Sequence, residues 1–328
     1  MSIQQVREKL KMGIIGCGRI ASTAHLPAIA ESREILELIA VVDSVEERAR
    51  SAHEKYGSRR YYVNVEEALA DREIEAFLIC LPHHLHGGAT IGALNHGKHV
   101  LVEKPLALTV EEADRMINAA EMNKRNLMVG QNRRFFKASL EAKRRMKEIG
   151  RPLHIVNVWF HFRETPPSDW WTSVEKTGGL LIPLNGSHAV DFILWLTGKR
   201  PGRVYAEKNR SNPRWEGEDD VTILLGFDDG LIATISLSFN SRQEAYERYV
   251  IGSEKTMYFK NDGTLIMDGK ILVEDNRPLE SFKSQLEEFV MSIREHREPE
   301  ASAKEVRKVV EVISAVTLSA KERKLVSL

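Results

Sequence analysis

Over the first 130 residues, short and wholly apolar runs alternate with amphipathic stretches. The runs at 12–15, 38–42, 76–80, 100–102 and 127–129 are too brief for helices and too uniformly apolar for half-exposed strands, so they predict strands of a parallel sheet buried on both faces. Helical patterns fill the gaps: a run ending at Ala30, then 45–56 and 86–96. The next helix opens at Thr109, whose hydroxyl stands three residues before Glu112 as the start of a capping box. Strands separated by helices of this length require right-handed crossovers, which give a doubly wound α/β domain over residues 1–130.

From Leu153 the pattern changes to period two. Along 154–163 the alternation puts Asn157, Trp159, His161 and Arg163 on one face and Val156, Val158, Phe160 and Phe162 on the other. The apolar face reads as core and the other as wet and adhesive. Runs at 221–227 and 231–239 flank the turn Asp228, Asp229, Gly230; those at 248–251, 255–259 and 264–267 surround Asn261, Asp262, Gly263. These are hairpin signals, and they predict a large, mostly antiparallel sheet in a second α/β domain over 131–328. Helix returns at 279–294, and Ser302 with Glu305 forms a second capping box for the last helix.

A length of 328 residues agrees with two domains. Lys+Arg and Asp+Glu both total 47, so no long-range field favours nucleic acid or an anionic membrane, and a small ligand recognised locally is expected. The polar N-terminal lead has no signal-peptide core, and no apolar run approaches the ~20 residues that span a bilayer. Cys17 and Cys80 lie in apolar or glycine-rich surroundings and signal neither a disulfide framework nor zinc. A soluble cytoplasmic protein is expected.

Candidate chemistry gathers at the carboxyl ends of the first-domain strands. Gly16, Gly18 and Ala21, with Arg19 and Ile20 between, match Gly-x-Gly-x-x-Ala directly after a strand and before a helix. Such a turn brings backbone close to a pyrophosphate, and so the first domain reads as a Rossmann domain. Asp43 ends the next strand about 20 residues on, where an acid grips the adenosine ribose. That favours NAD, with Arg48 one turn later keeping NADP open. Lys104, before Pro105, ends its strand and projects beyond the sheet edge where such folds bind ligands. Pro82 to His86 lies at the same edge; a strand-to-helix turn spreads its three histidines apart, so a nicotinamide pocket is expected there rather than a metal site. The expected cofactor set is Gly16, Gly18, Arg19, Ile20, Asp43, Pro82, His86, Glu103 and Lys104, with Glu103 also anchoring local structure. In the second domain Asn185, His188 and Asp191 share a helix face by spacing. Trp170 and Trp171, after Pro166 and Pro167, read equally as a lid or as core.

With these residues in view, the chain resembles the Gfo/Idh/MocA oxidoreductases, related to glucose-fructose oxidoreductase and inositol dehydrogenase. The likeness rests on Gly16 to Ala21, Pro82 to His86, Gly97 to Pro105 with its Glu103-Lys104-Pro105, Asn132 to Phe135, Gly178-Gly179 with Gly186 to Asp191, and Ser319 to Val326. It implies an open second sheet that packs on the Rossmann domain by one face and makes a homodimer or homotetramer by the other. It implies Lys104 as catalytic lysine and His188 as its acid/base partner in hydride transfer between NAD(P) and a carbinol of a sugar or polyol. Asn185, Lys104, His188, Arg163 and Trp171 are the expected substrate contacts. The sequence departs from the family at Leu184, four residues before the histidine, where an aspartate is usual. Two alternatives stay open: a hydrolase or lyase that retains NAD and oxidises transiently, and a non-catalytic dinucleotide sensor.

Overall fold

A computed structural model describes residues 8–328, so the polar lead falls outside the described residues except for its last position. Six parallel strands form the first sheet: β1 (Leu10–Ile15), β2 (Leu36–Val42), β3 (Arg60–Tyr62), β4 (Ala76–Ile79), β5 (His99–Glu103) and β6 (Leu127–Gly130). Their order is β3-β2-β1-β4-β5-β6. The direction of winding therefore reverses between β1 and β4, which opens a crevice beyond their carboxyl ends. The side chains of β4 are fully buried, as expected for a strand covered on both faces.

Nine strands form the second sheet. They are β7 (Pro152–Phe162), β8 (Arg203–Asn209), β9 (Asp220–Gly226), β10 (Ile232–Ser238), β11 (Asn240–Gly252), β12 (Thr256–Asn261), β13 (Thr264–Met267), β14 (Lys270–Glu274) and β15 (Val326–Ser327). The order is β14-β13-β12-β11-β7-β10-β9-β8-β15, with every pair antiparallel except β7 with β10. The hairpins read from the sequence are present. The short strand β3 and the charge-rich β8 carry no long apolar run, and β14 at the sheet edge carries only Ile271, Leu272 and Val273; pairing with a neighbouring strand forms them.

One expectation is reversed. The polar face of β7 points inward: Asn157 is 1% exposed, while Val156, Val158 and Phe160 are half-buried and Phe162 is exposed. Inward-facing neighbours Ile223, Ile235, Val250 and Met257 are fully buried against the helix Ser187–Thr197 and supply the apolar contacts of the core. Asn157 and Arg248 pair across this layer, so a polar pair is enclosed by hydrocarbon. The apolar outer face is left partly exposed by the described residues.

The helix Pro278–Arg294 returns from the second segment to the first sheet. Phe282, Leu286, Phe289 and Val290, spaced along one helical face, bury against Met12, Leu26, Leu38 and Val41. At roughly 1.5–3 kcal/mol for each large apolar side chain, this contact contributes several kcal/mol to holding the two segments together. A division at residue 130 thus separates the strands of the two sheets, while the helices Pro278–Arg294 and Ala303–Glu322 both pack back across it. The stretch Val174–Thr197 is long and apolar enough to cross a membrane by composition, and its most apolar part is buried inside the protein, ending in the core helix Ser187–Thr197.

Candidate active site

The glycine turn follows β1. Gly16 has φ +94°, and a Cβ there would lie 2.4 Å from the Cys80 carbonyl oxygen, so only glycine fits. At Gly18 an added Cβ would meet nothing within 4 Å, which leaves the floor of the turn open to an approaching ligand. The helix that follows passes through a wide turn, Ala21–His25, closed by the Leu26 amide donating to the Ala21 carbonyl. Pro27, which has no amide hydrogen, stands just beyond it. Arg19 and Ile20 are exposed at the start of this helix, whose first amides lack intrahelical acceptors and face the crevice end of the sheet.

Asp43 is buried at the end of β2. Its Oδ2 accepts the Cys17 amide at 3.0 Å and its Oδ1 the Val45 amide at 2.9 Å, so the carboxylate ties the glycine turn to the strand beside it. A carboxylate has about four acceptor positions, which leaves capacity for a ribose hydroxyl. Arg48 lies 3.8 Å away. The open glycine turn and the remaining acceptors of Asp43 fit a dinucleotide.

Lys104 lies immediately beyond β5. Its Nζ donates to the main-chain carbonyl of Leu184 at 3.2 Å, across to the second domain. Burial lowers its pKa to about 8, against the opposing charge of Glu103 and with help from Arg133. Glu103 accepts from or donates to His25 Nε2 through Oε1 at 2.6 Å, according to which holds the proton, and its Oε2 accepts the Lys104 amide at 3.1 Å. Both oxygens are therefore engaged inside the protein. Glu103 fixes the strand end that carries Lys104. The expectation of a cofactor contact is corrected at His86. It is fully buried, with Nδ1 2.8 Å from the Pro105 carbonyl and Nε2 2.8 Å from that of Leu81, and it braces the two strand-end turns from behind. Pro82 remains half-buried at the crevice edge after β4.

His188 belongs to the helix Ser187–Thr197, which is entered through a second wide turn, Ile182–Gly186, containing Pro183. Its Nδ1 lies 3.2 Å from Gln131 Oε1. With the proton on Nδ1, Gln131 accepts it and Nε2 keeps its lone pair. Burial, followed by the charges of Lys104, Arg133 and Arg248, holds His188 well below the usual histidine range, so the ring is neutral at physiological pH. Asp191, on the same helix, turns instead to Arg134 at 2.6 and 2.9 Å and is structural. Leu184 is 3% exposed and packs in the core, so the side chain at the usual aspartate position faces hydrocarbon while its carbonyl holds Lys104. Asn185 is buried, and its Nδ2 has no acceptor among the described residues.

The segment bearing Trp170 and Trp171 contacts both domains. Trp170 packs edge-on to His83 at 4.9 Å, and His83 Nδ1 lies 3.1 Å from the Thr177 carbonyl. Trp171 is half-buried, with the Arg163 guanidinium 5.5 Å from its ring centre. Arg163 Nε is buried without a partner among the described residues, and burial followed by the charge of Arg19 depresses the guanidinium's pKa. Sequence reading assigned no role to Gln131, Arg133, Tyr246, Arg248 or Asp262. Arg133 stood inside a family motif, and Asp262 read only as a turn residue; nothing in one sequence joins them.

The segment 10–131 matches the family model described as an oxidoreductase family with an NAD-binding Rossmann fold, and 140–258 matches the GFO/IDH/MocA C-terminal domain. Myo-inositol 2-dehydrogenase of Thermotoga maritima is 26% identical over 342 aligned positions, covering 97% of this chain and 98% of that protein. Inositol 2-dehydrogenase of Salmonella typhimurium is 32% identical over 208, covering 62% and 59%. Among solved structures, aldose-aldose oxidoreductase from Caulobacter crescentus complexed with glycerol superposes with a TM-score of 0.90 at 26% identity, over 98% of this chain and 100% of that one. Levoglucosan dehydrogenase in complex with NADH gives 0.91 at 20% identity over 98% and 99%, a likeness of fold.

Proposed function

The chain belongs to the GFO/IDH/MocA family of NAD-binding oxidoreductases, and from that premise we propose that it transfers hydride between NAD and a secondary alcohol carbon of a sugar, cyclic polyol or related compound. The observation that carries this reading is the buried amine of Lys104 at the crevice edge, anchored to the helix turn that leads into His188. When bound, the nicotinamide accepts or returns the hydride. The chain's own residues hold the dinucleotide and manage the proton. Gly16, Gly18, Arg19 and Ile20 line the pyrophosphate turn, Asp43 takes the ribose, and Pro82 borders the nicotinamide end. Lys104 in its neutral form accepts the carbinol proton during oxidation and returns it during reduction. His188 stays neutral, and its Nε2 accepts from a hydroxyl next to the reacting carbon, which positions the carbinol beside the lysine. Asn185 donates to a neighbouring hydroxyl, and Trp171 covers the ring. Arg163 contributes from beside Trp171.

A panel of sugars and polyols followed at the NADH absorbance band tests the assignment, with both cofactors. Net NADH formation with at least one secondary alcohol is expected, and NAD should bind roughly tenfold or more tightly than NADP, because Asp43 repels a 2′-phosphate. Tighter NADP binding would overturn the cofactor assignment. Turnover without net NADH would point to retained-cofactor hydrolysis or elimination.

We also assign the outer face of the second sheet to contact between copies of this chain. Phe162, Leu224, Ile232 and Tyr249 are exposed there, and Tyr249 stacks on Tyr258 at 4.6 Å. Light scattering should give a dimer or tetramer, and the double change Phe162→Glu with Tyr249→Glu should shift it to monomer; a monomeric unmodified protein would refute the assignment. Two buried free thiols suit a reducing cytoplasm.

A further inference from the structure

Arg133, in the turn after β6, lies over the rings of Trp159 and Tyr246, which pack edge-on to each other at 5.0 Å, with its guanidinium carbon 4.1 and 4.8 Å from their centres. Its Nη1 donates to Asp262 Oδ2 and to the Tyr246 hydroxyl. Arg248, from β11, is 1% exposed. Its Nη2 donates to Asp262 Oδ1 at 3.1 Å and its Nε to Asn157 Oδ1 at 2.8 Å, while its Nη1 has no acceptor. The Tyr246 hydroxyl also donates to Asp262 Oδ1 at 2.6 Å. One carboxylate therefore serves two guanidiniums and a phenol.

This cluster adjoins the proposed reaction centre. The Trp159 ring centre is 6.4 Å from that of His188, and the charges of Arg133 and Arg248 both reach the imidazole. Against Lys104, Arg133 and Arg248 stand only Asp262 and Glu103 among these groups, and Glu103 is bound to His25 behind the strand. An excess of positive charge is left facing the cleft, and oxidised nicotinamide would add to it. Concentrating like charges out of water is costly unless an anion completes the site.

The hydrogen-bonding capacity is equally one-sided. Gln131 Nε2, Asn157 Nδ2, Asn185 Nδ2 and Arg248 Nη1 are buried without acceptors among the described residues, and every one is a donor. Since Arg248 is 1% exposed, Arg133 is the cation of the cluster that can be reached from the cleft. Its side chain is 15% exposed, and its Nε and Nη2 have no partner among the described residues. That free edge is a planar fork of two N–H groups, the shape that matches a carboxylate with two parallel hydrogen bonds.

We propose that Arg133 binds a carboxylate carried by the substrate, so that the compound oxidised is a sugar acid, a uronate or an aldonate, rather than a neutral polyol. This rests on the dehydrogenase reading above and narrows its substrate class. The carboxylate is unchanged in the reaction: hydride leaves a carbinol carbon for the nicotinamide, the hydroxyl proton passes to Lys104, and a ketone forms. Trp159 and Tyr246 hold the planar guanidinium in place, and Asp262 fixes its far side, so the fork is aimed before the ligand arrives.

The test uses the NADH-loaded protein and matched pairs, D-glucuronate with D-glucose, D-galacturonate with D-galactose, and D-gluconate with D-glucitol. Binding is measured by calorimetry, and oxidation by NAD is followed in parallel. In at least one pair the acid should bind about tenfold to a hundredfold more tightly than its neutral partner, the range of a charge-assisted bidentate contact. Arg133→Gln should erase that ratio, and Arg133→Lys, which keeps the charge without the fork, should restore only part of it. NADH affinity of each variant controls for folding. Neutral members that bind as well as the acids in every pair would overturn the proposal, as would an acid preference untouched by Arg133→Gln. A preference for the corresponding sugar phosphates over the acids would also overturn it and assign the fork to phosphate. If neutral sugars alone are oxidised, the dehydrogenase reading stands and this inference fails; if acids bind preferentially but nothing is oxidised, the reverse holds.

Discussion

Lys104→Ala is expected to lower turnover by about a hundredfold or more while leaving NAD affinity near its original value. The amine is buried at the strand end, it reaches the Leu184 carbonyl rather than a carboxylate, and burial brings its pKa down to about 8. A free lysine at pH 7 is almost wholly protonated and a poor base; one near 8 is about one-tenth neutral. The sign of the pH dependence follows. Oxidation needs the neutral amine, so its rate rises with pH through about 8 and levels above it. Reduction needs the ammonium, so its rate falls through the same interval. His188 contributes no titration in that range, because its charged form is disfavoured to well below the ordinary histidine value. In the variant the inflection near 8 should vanish along with most of the rate. Stopped-flow turnover across pH, with NAD binding measured separately, checks both. A variant that loses cofactor binding yet keeps its saturated rate would make Lys104 an anchor instead.

The largest expected effect on stability is at Asp191 and Arg134, both with side chains 2% exposed and joined through two hydrogen bonds at 2.6 and 2.9 Å. Asp191→Ala leaves a buried guanidinium with only Glu305, at 2.9 Å and 41% exposed, and Glu300, at 4.0 Å, as counter-charges. Breaking a buried pair from one side costs about 3–5 kcal/mol, since the surviving charge stays desolvated. The double change Asp191→Leu with Arg134→Met removes both charges and should recover much of that loss. Urea unfolding midpoints of the single and double variants test this. A single-variant loss under about 1 kcal/mol would mean that water or the glutamates solvate the guanidinium. The pair joins the turn after β6 to the helix carrying His188, so it also sets the position of that histidine relative to Lys104.

Sequence and structure agree best where one local rule governs. The Thr109 and Ser302 hydroxyls accept the amides of Glu112 and Glu305, as their capping-box spacing requires. They disagree where two elements far apart in the chain must meet. His86 and Glu103 stood at the right edge of the sheet, yet their side chains turn back toward Leu81, Pro105 and His25. Edge position is a property of the strand; direction depends on which neighbour offers the missing hydrogen bond.

By itself the sequence determined the two-sheet architecture, the glycine turn, the acid after β2, and the lysine after β5. Each depends on interactions within a few residues: apolar runs too short for helices, a glycine held at positive φ, and a proline that ends a ladder. Only the tertiary structure decided that the polar face of β7 is the inner one, that Leu184 serves Lys104 through its carbonyl, and that Arg133, Tyr246, Arg248 and Asp262 converge beside His188. Arg133 and Asp262 are separated by more than a hundred positions, and alternation along a strand distinguishes its two faces without saying which will be covered. That choice was made by the helix Ser187–Thr197, whose Phe192 ring lies 4.2 Å from the Arg248 guanidinium and shields it from water.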